Sequence, residues 1–222
     1  MKLPSVFGRP VVGTADVVVR IALTALVLPL IHVGAAAAAW PEPPTSATWR
    51  TQEDGPIRVE CTTADGLPWC RSSAVLPAPL SSLVTIVNDF DSYPLIFTHI
   101  SAVRALEPNV KYLRLDYPSP LADRDYSATF DRTEGPEGFR VWWHAVEHPA
   151  EPPHPGVIRL SLAAGQWELR PDPLGTRVVY TWEAEMSGDI AEWIQGRART
   201  INGVEVLAGL ARAANVAPLA AP

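Results

Sequence analysis

The chain has 222 residues, 47% hydrophobic and 19% charged, with a formal net charge of −6. That length supports one good-sized core, and the acidic balance argues against a nucleic-acid partner or a broad electrostatic grip on anionic lipid. Twenty-three prolines, many of them bunched, argue against an all-helical protein, because proline punctuates short elements.

Lys2, Arg9 and Arg20 precede the apolar run "IALTALVLPLIHVG", and "AAAAA" follows at 35–39. A positive region, a short apolar region and small residues in that order predict a signal peptide over 1–39, cut after Ala39. The alternative, an uncleaved anchor, is weakened by the shortness of the run and by Pro29 and His32 within it. The expected product is one domain, 40–222, exported to the periplasm of a Gram-negative bacterium or secreted.

Residues 40–56 are proline-rich and then polar, with a short helix or turn expected near 47–54. "IRVEC" and "WCRSSAVL" read as the two strands of a hairpin around the turn signal Asp65-Gly66. The sulfurs of Cys61 and Cys70 can meet across it, and in an exported protein a disulfide is the expected state. Leu80, Leu83, Val84, Val87 and Phe90 recur at helical spacing after Pro79, a residue suited to a first turn. "DSYPLIFTHI" predicts a second, shorter helix or turn.

Strands are then expected at about 101–107, 109–117, 123–132, 138–147, 156–163, 165–171 and 175–186. Short links should make neighbours antiparallel. Within "GVIRLSL", Ile158, Leu160 and Leu162 share a face; within the last strand, Val178, Tyr180, Trp182, Ala184 and Met186 do. The strand from 123 poses a question. Asp125, Ser127, Thr129 and Asp131 read as its wet face, so Arg124 falls on the apolar face with Tyr126, Ala128 and Phe130. An unpaired charge there would be costly. A capping-box-like Asp189 and Glu192 open the last element. Its apolar stripe is Ile190, Trp193, Ile194, Ile201, Val204, Leu207 and Leu210, opposite Gln195, Arg199, Asn202 and Glu205. One curved antiparallel sheet wrapped around this helix, an α+β architecture, would bury every half-apolar face.

The series "VLPAPLSSLVTIVNDFDSYP", "SPLADRDY", "HPGVIRL", "GQWEL" and "TRVVYTWEAEMSGDIAEWI" before a closing helix resembles bacterial START (steroidogenic acute regulatory-related lipid transfer) domain proteins of the Bet v 1-like superfamily. The resemblance spans about residues 45–214. It departs at Ser187-Gly188 and Ala191, where members usually carry Gly-Gly or Gly-Trp and a proline. It implies a helix-grip fold with a hydrophobic tunnel for one lipid: a sterol, phospholipid, carotenoid or similar molecule. It also implies that Arg124 sits in the cavity near an acidic residue of the preceding strand, Asp116. The pair either reads the ligand's polar group or simply ties two strands together. The expected ligand-binding set is Asp116, Arg124, Tyr126, Trp143, Leu160, Trp182, Trp193 and Ile194. Trp142, adjacent to Trp143, should point outward, where an aromatic suits membrane docking. The implied protein is a monomer that touches membranes transiently.

Competing readings rest on less. His144 and His148 have metal-like helical spacing, but they lie on an expected strand, where positions four apart are about 13 Å apart. No metal or cofactor is therefore expected. There is no nucleophile motif and no phosphate-cradling loop. A cyclase-like enzyme using Asp116, Arg124 and Tyr126 as acid and base is the alternative function, and an export signal argues against it. If the signal is cut as read, intact-mass measurement of exported protein will find a chain beginning near Trp40. A chain that keeps its first residues would refute export by this route.

Overall fold

A computed structural model describes residues 42–119, 121–183 and 192–219. The segment read as a signal peptide and the expected cap at Asp189 lie outside the described residues. Strand β1 (Arg50–Asp54) opens a sheet that continues with β2 (Arg58–Ala64) and β3 (Leu67–Leu76). Helices α1 (Leu80–Asn88) and α2 (Tyr93–Ile96) follow, joined by a single 3-10 turn. Then come β4 (Ile100–Ala105), β5 (Val110–Leu115), β6 (Asp123–Gly135), β7 (Gly138–Val146), β8 (Val157–Arg159), β9 (Ala164–Asp172), β10 (Gly175–Glu183) and α3 (Glu192–Ala213). The sheet order is β1-β2-β3-β10-β9-β7-β6-β5-β4. It is antiparallel along this path and does not close. Short strand β8 pairs in parallel with β6 at Asp123–Asp125, a stretch that β7 does not reach.

Local sequence explains most of these elements. Asp65 and Gly66 both take positive φ, 51° and 80°, which is the two-residue turn whose twist suits a hairpin. It sets Cys61 opposite Cys70, and the two sulfurs are bonded. In α1, Leu83 and Val87 are buried one turn apart. The inner face of the sheet presents Ala74, Leu76, Ala128, Val141, Leu169 and Val178, all nearly fully buried against the helices. These are alternate positions on their strands, as the period of two requires.

Three expectations give way. The stretch near 47–54 holds a strand rather than a helix or turn: β1 is entirely exposed and carries no apolar alternation to announce it. The strand expected at 156–163 is only three residues long, and Leu162 is 42% exposed. Asp125 and Ser127, read as wet, are fully buried, because the 148–159 segment folds over the outer face of β6.

Helix α3 packs on the sheet through its second half. Leu207 and Leu210 are fully buried, and Gly203 and Gly209 are points of close contact. A Cβ at Gly203 would lie 2.8 Å from the Trp182 ring and 3.1 Å from Val59; one at Gly209 would lie 2.6 Å from the Ile96 carbonyl oxygen. Beyond the helix, Leu219 exchanges two backbone hydrogen bonds with Val75 of β3, at 2.8 and 3.0 Å. Near the helix start, Gly196 has nothing close to where its Cβ would be.

These glycines should respond in opposite senses to alanine. Gly196→Ala gains helix propensity with no clash and should stabilise by up to about 1 kcal/mol. Gly203→Ala overpacks the helix against the sheet and should destabilise by about 1–3 kcal/mol. Midpoints of urea unfolding for the two variants check both signs.

Candidate ligand cavity

A cavity of about 420 Å³ lies between the inner face of the sheet and the first part of α3. Strand parity decides what reaches it. On the β5 side Leu113, Leu115 and Tyr117 face in. From β6 come Tyr126 and Phe130, from β7 Trp143, from β9 Trp167, and from β10 Tyr180 and Trp182. Many of these rings touch. Tyr180 lies 5.9 Å from Trp143, 4.5 Å from Trp167 and 5.0 Å from Trp182, centroid to centroid. Phe130 stacks on Trp143 at 5.9 Å. Separations of this size are those at which aromatic pairs attract beyond simple area burial, so the wall is stiff. Gly165 makes room for it, since a Cβ there would lie 2.5 Å from the Trp143 ring.

The expected ligand-binding residues divide into three groups. Tyr126, Trp143, Leu160 and Trp182 line the cavity. Asp116 and Arg124 do not. Because Leu113, Leu115 and Tyr117 face in, Asp116 between them must face out, on the side it shares with Arg114. It is 55% exposed, and its carboxylate accepts a bond from Arg114 Nε at 3.2 Å. Arg124 is 4% exposed; its guanidinium donates to the Ala122 carbonyl oxygen and lies 5.0 Å over the Tyr117 ring. Tyr117 rather than Arg124 thus borders the cavity, and the expected pairing with Asp116 is replaced by these contacts. Asp116 is also turned away from the space that Tyr126 faces. Ile194 is 38% exposed on α3 and is not on the cavity wall. The Trp193 side chain lies outside the described residues. Trp142 is half-buried under the Arg140 guanidinium, 5.1 Å away, rather than fully outward.

Other wall residues escaped the sequence reading. Tyr117, Phe130, Trp167 and Tyr180 all sit at inward parity, a legible signal. Arg199, Asn202 and Glu205 of α3, read as the helix's polar outer side, reach the cavity as well. There Glu205 Oε2 lies 3.3 Å from His99 Nε2, and the His99 ring stacks on Tyr117 at 4.7 Å. His99, just before β4, thus lies between α3 and the Tyr117 ring. Among the described residues no group of three or more His, Cys, Asp or Glu is placed to hold a metal ion.

On the opposite face of β6 lies a buried ionic cluster. Asp125 is fully buried and accepts bonds from Arg159 Nε at 2.6 Å, Arg159 Nη2 at 3.1 Å and the Tyr112 hydroxyl at 3.1 Å. Glu151, also buried, pairs with Arg104 at 2.5 Å and His154 at 3.2 Å. Arg159 further donates to the Glu151 and Pro152 carbonyl oxygens. The proline-rich segment is thereby strapped to the sheet, and Leu160, next along the chain, is delivered to the cavity. Burial alone would push the Asp125 carboxyl up, but the bonds and charge of Arg159 outweigh it and hold the group below the usual carboxylate range. Burial and the Asp125 charge push the Tyr112 phenol up to about 12.

No protein-family model matches the chain, and no curated protein matches its sequence. Solved structures do. The STAR-related lipid transfer protein of Xanthomonas axonopodis is similar at 24% identity and a TM-score of 0.65, over 75% of this chain and 98% of that one. Human StAR-related lipid transfer protein 5 is similar at 16% identity and a TM-score of 0.65, over 75% and 86%. Human STARD10 is similar at 15% identity and a TM-score of 0.64, over 75% and 73%. The chain thus has a START-like fold, with the curved sheet and C-terminal helix of the helix-grip architecture.

The strap makes a prediction. Asp125→Ala leaves Arg159 without its buried partner and should cost roughly 3–5 kcal/mol, whereas replacing both with leucine should cost much less. Because the folded pKa of Asp125 lies below its unfolded value of about 3.9, its contribution is complete above that value and is lost as pH falls through the folded one. Urea unfolding at pH 7 and at stepped acid pH, on wild type and both variants, checks the magnitudes. It also checks whether the acid-side loss shrinks when the pair is absent.

Proposed function

We propose that the chain is an exported carrier that holds one hydrophobic molecule in this cavity and shields it from water. The observation that carries the reading is an apolar, ring-lined space of about 420 Å³, covered by a helix that meets the sheet mainly through its far half. At about 0.8 kcal/mol per buried CH₂, a lipid-like ligand supplies much of its own affinity, and the size suits one compact molecule. The similar solved structures are described as lipid transfer proteins, which favours a carrier over an enzyme.

Export rests on the signal-like segment at 1–39 and is supported by the Cys61–Cys70 disulfide, a bond that persists in oxidising compartments such as the periplasm. The carrier works as a monomer with transient membrane contact. Ile194 and Ile201, seven apart on α3 and both partly exposed, offer an apolar strip for that contact.

Protein purified from the native compartment should release a hydrophobic compound into organic solvent, at up to one molecule per chain by mass spectrometry. Protein that yields none, and that takes up none when mixed with lipid vesicles, would overturn the carrier reading.

A further inference from the structure

The large wall residues Trp143, Trp167, Tyr180 and Trp182 stand in strands that are paired on both sides, so the sheet itself fixes how deep each one reaches. Leu160 lines the same cavity without that support. It lies just past β8, a strand of three residues that pairs with β6 alone among the described residues. Residues 160–163 then cross to β9. Leu160 and Ala163 face the cavity, while Ser161 and Leu162 are exposed. One main-chain bond holds each end of this crossing. The Leu160 N–H donates to the Asp125 carbonyl oxygen at 2.8 Å, and the Ala145 N–H donates to that of Ala163 at 2.7 Å.

The rest of the hold comes from Arg159 on the outer face. Its guanidinium donates to both carboxylate oxygens of fully buried Asp125, at 2.6 and 3.1 Å. It also donates to the carbonyl oxygens of Glu151 and Pro152, at 3.0 and 3.3 Å. Two parallel bonds to one carboxylate fix orientation as well as distance, which a single ammonium does not do. Successive side chains point to opposite faces, so orienting Arg159 on the outside also orients Leu160 on the inside. A buried ion pair is a poor stabiliser beside apolar residues of similar volume. What this one supplies is a fixed position.

We propose that Arg159 and Asp125 are positioning residues for the ligand. By holding Leu160 at a set depth they fix where the cavity ends, and so they select the ligand by size although neither lines the cavity. This rests on the carrier reading and adds to it the residues that choose among hydrophobic ligands. Leu160 is the stop, and the outward pair holds the stop in place.

Straight-chain 1-alkanols of increasing length, titrated into the full exported chain by calorimetry, measure where the cavity ends. In wild type, affinity should rise about fourfold with each added CH₂ until the chain meets Leu160, and then level off. The length at this break is the readout, because a general loss of stability lowers the affinities together and leaves the break in place. Leu160→Ala should move the break to chains about two carbons longer, since the truncated side chain leaves space behind. Asp125→Leu with Arg159→Leu should move it in the same direction. Arg159→Lys keeps the charge and loses the paired bonds; it should move the break too, and it keeps the test alive if the double variant does not fold. Val87→Ala, a core truncation away from the cavity wall, should leave the break where wild type has it. A break that Leu160→Ala moves and both Arg159 variants leave in place makes the pair structural only; the inference then falls and the carrier reading stands. The same holds if affinity climbs with no break, if Leu160→Ala does not move it, or if no alkanol binds while lipid is taken up from vesicles. If neither alkanol nor vesicle lipid is bound, both fall.

Discussion

The close contact of α3 with the sheet at Gly203 is the constraint on which the rest depends. With no side chain there, the helix backbone descends onto Trp182 and Val59, and Leu207 and Leu210 can seal the core one and two turns on. Beside that contact, the flank of the same helix that carries Ala198, Ile201, Asn202 and Glu205 borders the cavity. The cavity is the region that this contact point does not close. Its walls are large because the rings that face it must span a gap that the helix does not fill.

The two faces of β6 then serve separate ends. Inward, Tyr126 and Phe130 are wall. Outward, Asp125 gathers Arg159 and Tyr112. Ion pairs of this kind seldom add stability over apolar substitutes, but this one fixes where a proline-rich segment lies. Its bonds run to Arg159 immediately before Leu160, so a polar cluster on one face of the sheet sets the position of an apolar side chain on the other.

Much of this was legible from residue periodicity. The alternation of β6 and β10 named inward residues correctly, and the helical spacing of α1 and the second half of α3 predicted what they bury. Periodicity tells two faces apart; it does not tell what covers the second one. Asp125 looked wet because nothing in its own strand signals that residues 148–159 return to lie over it. Asp116 was implied by the resemblance alone; its alternation with Leu115 and Tyr117 is visible in the sequence, but which of the two faces is inner is not. The polar side of α3 was misread for a related reason. A helix beside a cavity has a third environment besides core and solvent, and Arg199, Asn202 and Glu205 occupy it. β1 was missed because an edge strand with every residue exposed has no pattern to show.

The short bridge between Leu219 and Val75 has a mechanical consequence. It fastens the chain just beyond α3 to the strand beside β10, where the helix is already held by Gly203, Leu207 and Leu210. The C-terminal end of the helix is thus anchored twice, by Leu207 and Leu210 in the core and by a main-chain bridge just past its last turn. Lifting that end off the sheet would mean breaking the bridge and exposing core side chains in one event, so the two anchors fail together or not at all.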